Sequence, residues 1–133
     1  MHWMILPYKR YFDFSGRSCR MEYWLFHLFL LVLIVGSIVV GGALAQAIGS
    51  GANADFSFSI VSIVFLGSII PHLAVTVRRF HDQGLSGWHY LWTFFPYIGG
   101  LISIYFMVQP GSWGENNWGD DPLQNGIDTD VFS

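Results

Sequence analysis

Three stretches of this chain carry no Asp, Glu, Lys or Arg: 32 residues from Tyr23 to Ala54, 22 from Phe56 to Val77, and 32 from Gln83 to Gly114. A bilayer's hydrocarbon core is about 30 Å thick and takes about 20 apolar residues of helix, so each run is long enough to cross. Only 11% of the 133 residues are charged and 53% are hydrophobic, where a soluble domain carries roughly a quarter charged residues. The expected fold is all-α and integral to the membrane. It is a bundle of three transmembrane helices at about 23–47, 56–77 and 88–108, with an interfacial N-terminal segment and an irregular C-terminal tail. Residues 1–122 form a single membrane domain and 123–133 a flexible tail, which leaves no separate soluble catalytic module.

Residues 1–14 mix aromatic and apolar side chains with Lys9 and Arg10, and Pro7 interrupts them. They are too short and polar to cross, and suit a segment lying on the headgroups. Ser18 is placed to cap a helix running through Glu22 into the first span. Ala43-Leu44-Ala45 resembles a signal cleavage site, but the apolar stretch before it is too long for a signal core, so the first span is read as retained. Within it Ser37, Gly41, Ala45 and Gly49 recur every four residues as a small-residue face suited to close helix packing. Pro71 removes the helical bond to the Gly67 carbonyl and predicts a kink late in span two. Ser86 is a candidate cap for the third helix. Pro96 and Gly99-Gly100 break span three, as a kink in one crossing or as the tip of a re-entrant hairpin. One kinked crossing is favoured, because each half is short.

The net charge of -3 hides two opposed ends. All six Lys and Arg lie before residue 23 or in 78–82, with only Asp13, Glu22 and Asp82 among them, while six acidic residues lie elsewhere. Four basic residues precede span one, two follow span two, and none lies between the first two spans. The positive-inside rule then puts the N-terminus in the cytoplasm of a multi-pass inner-membrane protein. Three crossings put the tail outside, and a re-entrant third segment puts it inside. Nucleic acid is not an expected partner, since the basic residues flank apolar spans.

Arg17, Arg20, Glu22, Arg78, Arg79, His81 and Asp82 gather where spans one and two meet the cytoplasm. Two readings compete for them. One is internal pairing, with Arg78 and Asp82 four apart on a helix and Glu22 neutralising an arginine across the hairpin. The other is a site for lipid headgroups or a membrane partner, while a homo-oligomer seam is the alternative to internal packing for the small-residue face of Ser37, Gly41, Ala45 and Gly49. His72 lies inside span two, on one helical face with Thr76 and Arg79, and intramembrane ionisable groups mark function or a satisfied internal bond. His27, His72, His81, Asp82 and His89 have no metal-ligand spacing, and Glu22 and His27 stand about 140° apart around a helix. Cys19 has no partner histidine in sequence. No cofactor, metal or catalytic residue is expected.

Gly16-Arg17-Ser18-Cys19-Arg20-Met21-Glu22-Tyr23-Trp24 resembles the Gly-Arg-x-x-Arg-x-Glu-Tyr-Trp motif of a bacterial inner-membrane family, domain of unknown function 805, the YhaH-like proteins. Pro71-His72-Leu73-Ala74, then Arg78-Arg79-Phe80-His81-Asp82 and Ser86-Gly87-Trp88, are similar to that family's central Arg-Arg-Leu-His-Asp and Ser-Gly-Trp motif. Pro96-Tyr97-Ile98-Gly99 is similar to its Pro-x-x-Gly, and Gly114-Glu115-Asn116-Asn117-Trp118-Gly119-Asp120-Asp121-Pro122 to its closing Gly-x-Asn-Arg-Phe-Gly-Pro-Asp-Pro. Asn117 stands for the usual arginine and Asp120 for the usual proline. The resemblance covers about residues 12–122 and implies a small multi-spanning membrane protein, with no activity attached. A non-catalytic structural or interaction protein is the leading expectation. An oligomeric transport subunit using His72 and the broken helices comes second, and an enzyme acting on a lipid or phosphate ester third.

Overall fold

The computed structural model describes residues 2–49 and 53–123. Most of the expected flexible tail, residues 124–133, lies outside them. The described chain is helical: α1 (His2–Lys9), α2 (Arg20–Ile48), α3 (Asn53–Asp82), a 3₁₀ helix (Gly87–Phe94) and α4 (Gly99–Val108). At 29 and 30 residues, α2 and α3 are each about 44 Å long. Arg20–Ile48 and Phe56–Asp82 are both long and apolar enough to cross a membrane.

These two helices form an antiparallel hairpin. Glu22 meets Arg78, His27 meets His72 and Gly41 meets Ser57, so numbers rise on α2 as they fall on α3. Of the expected small-residue face, Gly41 and Ala45 are buried. A Cβ on Gly41 would stand 2.7 Å from Ser57 Cα, so the two backbones approach closely here and leave no room for a side chain. Ser37 returns its hydroxyl to Leu33 O at 2.6 Å, and Gly49 ends α2 as a left-handed cap. The buried apolar cluster is small (Tyr23, Phe26, Val75, Phe80, Met107) and sits toward the charged end of the hairpin. Leu31, Val32, Val35, Val39, Ile63 and Leu66 stay largely exposed. In water such a belt would invite aggregation. In lipid it faces its own solvent.

Three local expectations are corrected. Cys19, not Ser18, caps α2, without a side-chain bond. Ser86 does cap the next element, accepting from Trp88 N at 3.4 Å, but that element is the 3₁₀ helix. The single kinked helix expected over 88–108 does not form. Pro96 holds Phe95 extended (φ -64, ψ 121), Tyr97 turns left-handed at φ 69, and α4 starts at Gly99. A Cβ at Gly99 would lie 2.2 Å from Thr93 O, so the reversal needs glycine there. The two halves are about 16 Å and 15 Å long, each half of a hydrocarbon core. They form a hairpin whose two ends lie together: Phe80 packs on both His89 and Phe106, and Gln83 Nε2 donates to Phe106 O.

The N-terminal segment docks on the hairpin. Tyr8 packs against Phe26 and Phe29 and bonds Ser68 at 2.6 Å. Tyr11 Oη donates to Gly67 O at 2.8 Å, which is the carbonyl that Pro71 leaves without a helical donor. α3 runs through the proline as one helix with that vacancy filled from outside.

The close approach at Gly41 is directly testable. Gly41→Val should cost about 1–3 kcal/mol in reversible unfolding of the detergent-solubilised protein. Gly36→Val, where nothing lies within 4 Å of the added Cβ, should cost less than half as much in the same assay.

Candidate functional site

The C-terminal end of α3 places three consecutive-turn ionisable residues, Arg78, Arg79 and Asp82, beside the loop that leads into α2. Asp82 is the hub. Its Oδ1 accepts from Arg17 Nε at 3.0 Å and lies 2.9 Å from Arg17 Nη2 in an ion pair, its main-chain carbonyl accepts from that Nη2 at 3.4 Å, and its Oδ2 accepts from Arg79 Nη1. Its main-chain carbonyl accepts from Ser112 N at 2.7 Å and Ser112 Oγ at 3.0 Å. Arg78 pairs instead with Glu22, Nη2 to Oε1 at 3.0 Å, and reaches Asp13 O with Nη1 at 3.2 Å. The expected Arg78–Asp82 pair is therefore replaced by Arg79–Asp82, three apart, and the expected hairpin pairing of Glu22 falls on Arg78.

Of the seven residues grouped in sequence, six come together and are buried: Arg17 is 5% exposed, Glu22 1%, Arg78 and Arg79 0%, His81 5% and Asp82 4%. Arg20 lies outside, exposed, with a single 3.4 Å bond to Val108 O. The buried cluster is closed by the chain after α4. Arg17 donates to Ser112 O at 2.6 Å and Gly114 O at 2.5 Å, and Arg79 to Gln109 O. Asn116 Nδ2 donates to His81 O at 2.9 Å, and the Trp118 indole stacks on the His81 imidazole at 3.8 Å and 2°. A Cβ on Gly111 would fall 2.1 Å from Asp82 Oδ2, so only glycine lets this segment cross the carboxylate. Sequence alone did not expose this closure, because the partners after α4 are mostly main-chain carbonyls.

Charge burial explains the geometry. A guanidinium removed from water needs an acid or several carbonyls around it. Arg17 and Arg79 share one acid and draw further acceptors from the Asp82 carbonyl and four tail carbonyls. At the rim, the Ser15 hydroxyl and then the Arg10 guanidinium hold the Asp13 carboxyl down at about 2. Burial pushes the Cys19 thiol up, which disfavours the thiolate a nucleophile needs.

A second polar pair lies along the hairpin. His72 Nδ1 is 3.0 Å from His27 Nε2, and His27 Nδ1 is 2.8 Å from Tyr23 O. Thr76 Oγ1 donates to His72 O at 2.7 Å and is buried. Glu22 and His27 both reach α3 despite their 140° separation on an ideal helix. Pairing Glu22 with Arg78 in antiparallel register was the signal that would have brought His27 opposite His72. Among the described residues, no group of three or more His, Cys, Asp or Glu is placed to hold a metal.

Residues 11–120 match the family described as protein of unknown function, DUF805. The chain is 38% identical over 125 residues to the inner membrane protein YhaH of Escherichia coli K12, covering 92% of this chain and 97% of that protein. It is 35% identical over 122 residues to the inner membrane protein YhaI of the same strain, covering 92% and 96%. No solved structure matches the chain.

Removing the hub should release its dependents. Asp82→Ala leaves two buried guanidiniums without their acid, and should cost about 3–5 kcal/mol in equilibrium unfolding while making the segment after Gln109 protease-sensitive. Glu22→Gln should destabilise to a similar extent but leave that segment protected. For Asp13, the folded value lies below the ordinary one, so its contribution is present above about pH 4 and lost as pH falls through about 2. A carboxyl-carbon NMR titration should give its midpoint near 2, returning toward 3.8 in Ser15→Ala.

Proposed function

The chain belongs to the DUF805 family of inner-membrane proteins, and on that premise we propose that it is a non-catalytic structural or interaction protein of the bacterial inner membrane. The observation that carries this reading is the inward closure of the Arg17, Glu22, Arg78, Arg79 and Asp82 network, in which every carboxylate has an arginine and no guanidinium of the three faces outward. Acid–base catalysis needs a group free to meet substrate. Here the groups hold the molecule together. Contact with anionic headgroups then falls to two exposed cations, Lys9 at the end of α1 and Arg20 at the start of α2.

The same reading gives a topology of two crossings plus a re-entrant hairpin, with the loop before α2 and the segment after α4 both in the cytoplasm. Arg17 lies before the first crossing and bonds Ser112 and Gly114, which follow the hairpin. Two such segments in direct contact share one side of the membrane, and the basic flanks support the cytoplasm as that side.

Two experiments test the reading. A green fluorescent protein fused after Ser133 should fluoresce and an alkaline phosphatase fused there should be inactive; the reverse pattern rejects the two-crossing topology. Native mass spectrometry of protein from mixed phosphatidylglycerol–phosphatidylcholine nanodiscs should show phosphatidylglycerol retained by the natural chain. The Lys9→Gln/Arg20→Gln variant should lose most of it. Retention unchanged in that variant removes the proposed headgroup contact.

A further inference from the structure

Between α2, α3 and the 3₁₀ helix lies a cavity of about 330 Å³. Its wall is apolar over most of its area, from Leu30, Phe65 and Leu73, and Tyr90 of the 3₁₀ helix also lines it. Its polar feature is the His27–His72 pair. Ser68, also in the wall, is already committed: its hydroxyl donates to Val64 O at 2.7 Å and accepts from Tyr8.

The histidine pair has a direction that the hydrogen bonds fix. A backbone carbonyl only accepts, so the proton between His27 Nδ1 and Tyr23 O belongs to His27. A neutral imidazole has one N–H, so His27 Nε2 is bare. The 3.0 Å contact with His72 Nδ1 then requires His72 to donate. That uses the single proton of His72 and leaves its Nε2 as a bare acceptor, with no partner among the described residues. The chain of bonds ends on a carbonyl that cannot pass a proton on. This makes the pair an oriented acceptor and not a proton wire.

We propose that this cavity is a binding site for a neutral phenol, an apolar aromatic ring whose hydroxyl donates to His72 Nε2. The missing partner is a donor, which excludes ketones, ethers and other acceptor-only molecules. A cation or carboxylate would lose its hydration in a wall of this kind without an opposite charge to meet. The aromatic faces of Phe65, Tyr90 and the two imidazoles suit a ring. The volume lies at the small end of the range for small-molecule sites.

The test uses the full chain in lipid nanodiscs with ¹⁵N-labelled histidine, titrated with 4-propylphenol or with 4-propylanisole, which differ in the O–H donor. Before ligand, NMR should find both His27 and His72 protonated at Nδ1. Propylphenol should then move the His72 Nε2 resonance to a saturating shift, and propylanisole at the same concentrations should not. His72→Phe should weaken propylphenol binding at least tenfold, with the protease resistance of the segment after Gln109 reporting that the variant is folded. A His72 proton on Nε2, equal saturable shifts from phenol and anisole, or a linear response without saturation each overturns the proposal. The first of these needs no ligand.

Discussion

A single carboxylate in a water-poor place governs the charged end of this molecule. Asp82 accepts from two arginines, one on its own helix and one from the loop before α2, while its peptide oxygen receives Ser112. With Arg78 neutralised by Glu22, the network carries one more positive charge than negative. Carbonyls of Gln109, Ser112, Gly114 and, at 3.4 Å, Gly119 surround that surplus. The path of the chain after α4 follows from this: it wraps the cations because their remaining donors demand oxygen.

Much of this was legible in the residues. Uncharged length marks α2 and α3, and the few charges mark the end where the elements meet. Six of the seven charged and polar residues lie together, because stop-transfer charges on an antiparallel pair share one depth. The partner choice within it was less visible. Whether Asp82 takes Arg78 or Arg79 depends on which side of α3 faces the leading loop, and spacing alone allows both. The third apolar run misled for a physical reason. Its length permits a crossing, whereas Pro96, a left-handed Tyr97 and the tight Gly99 contact act over four residues and reverse the chain.

The two departures from the family's closing motif also make sense in this frame. Asn117 and Asp120 are both exposed. The closing segment grips the cluster through main-chain oxygens, through Asn116 and through the Trp118 ring on His81. Side chains at 117 and 120 can therefore change without disturbing the cations.

The Tyr11 hydroxyl on Gly67 O implies an order of assembly. Tyr11 is synthesised 56 residues before its acceptor, and Arg17 precedes Asp82 by 65. Until α3 has inserted, Arg17 and Glu22 must wait hydrated at the membrane surface, and the N-terminal helix has only α2 to dock on, through Tyr8 against Phe26 and Phe29. Insertion of the hairpin and its locking are thus separate events in biogenesis. A ribosome-bound chain truncated before Asn53 would carry every apolar residue of α2 and none of the α3 contacts that fasten the loop before it.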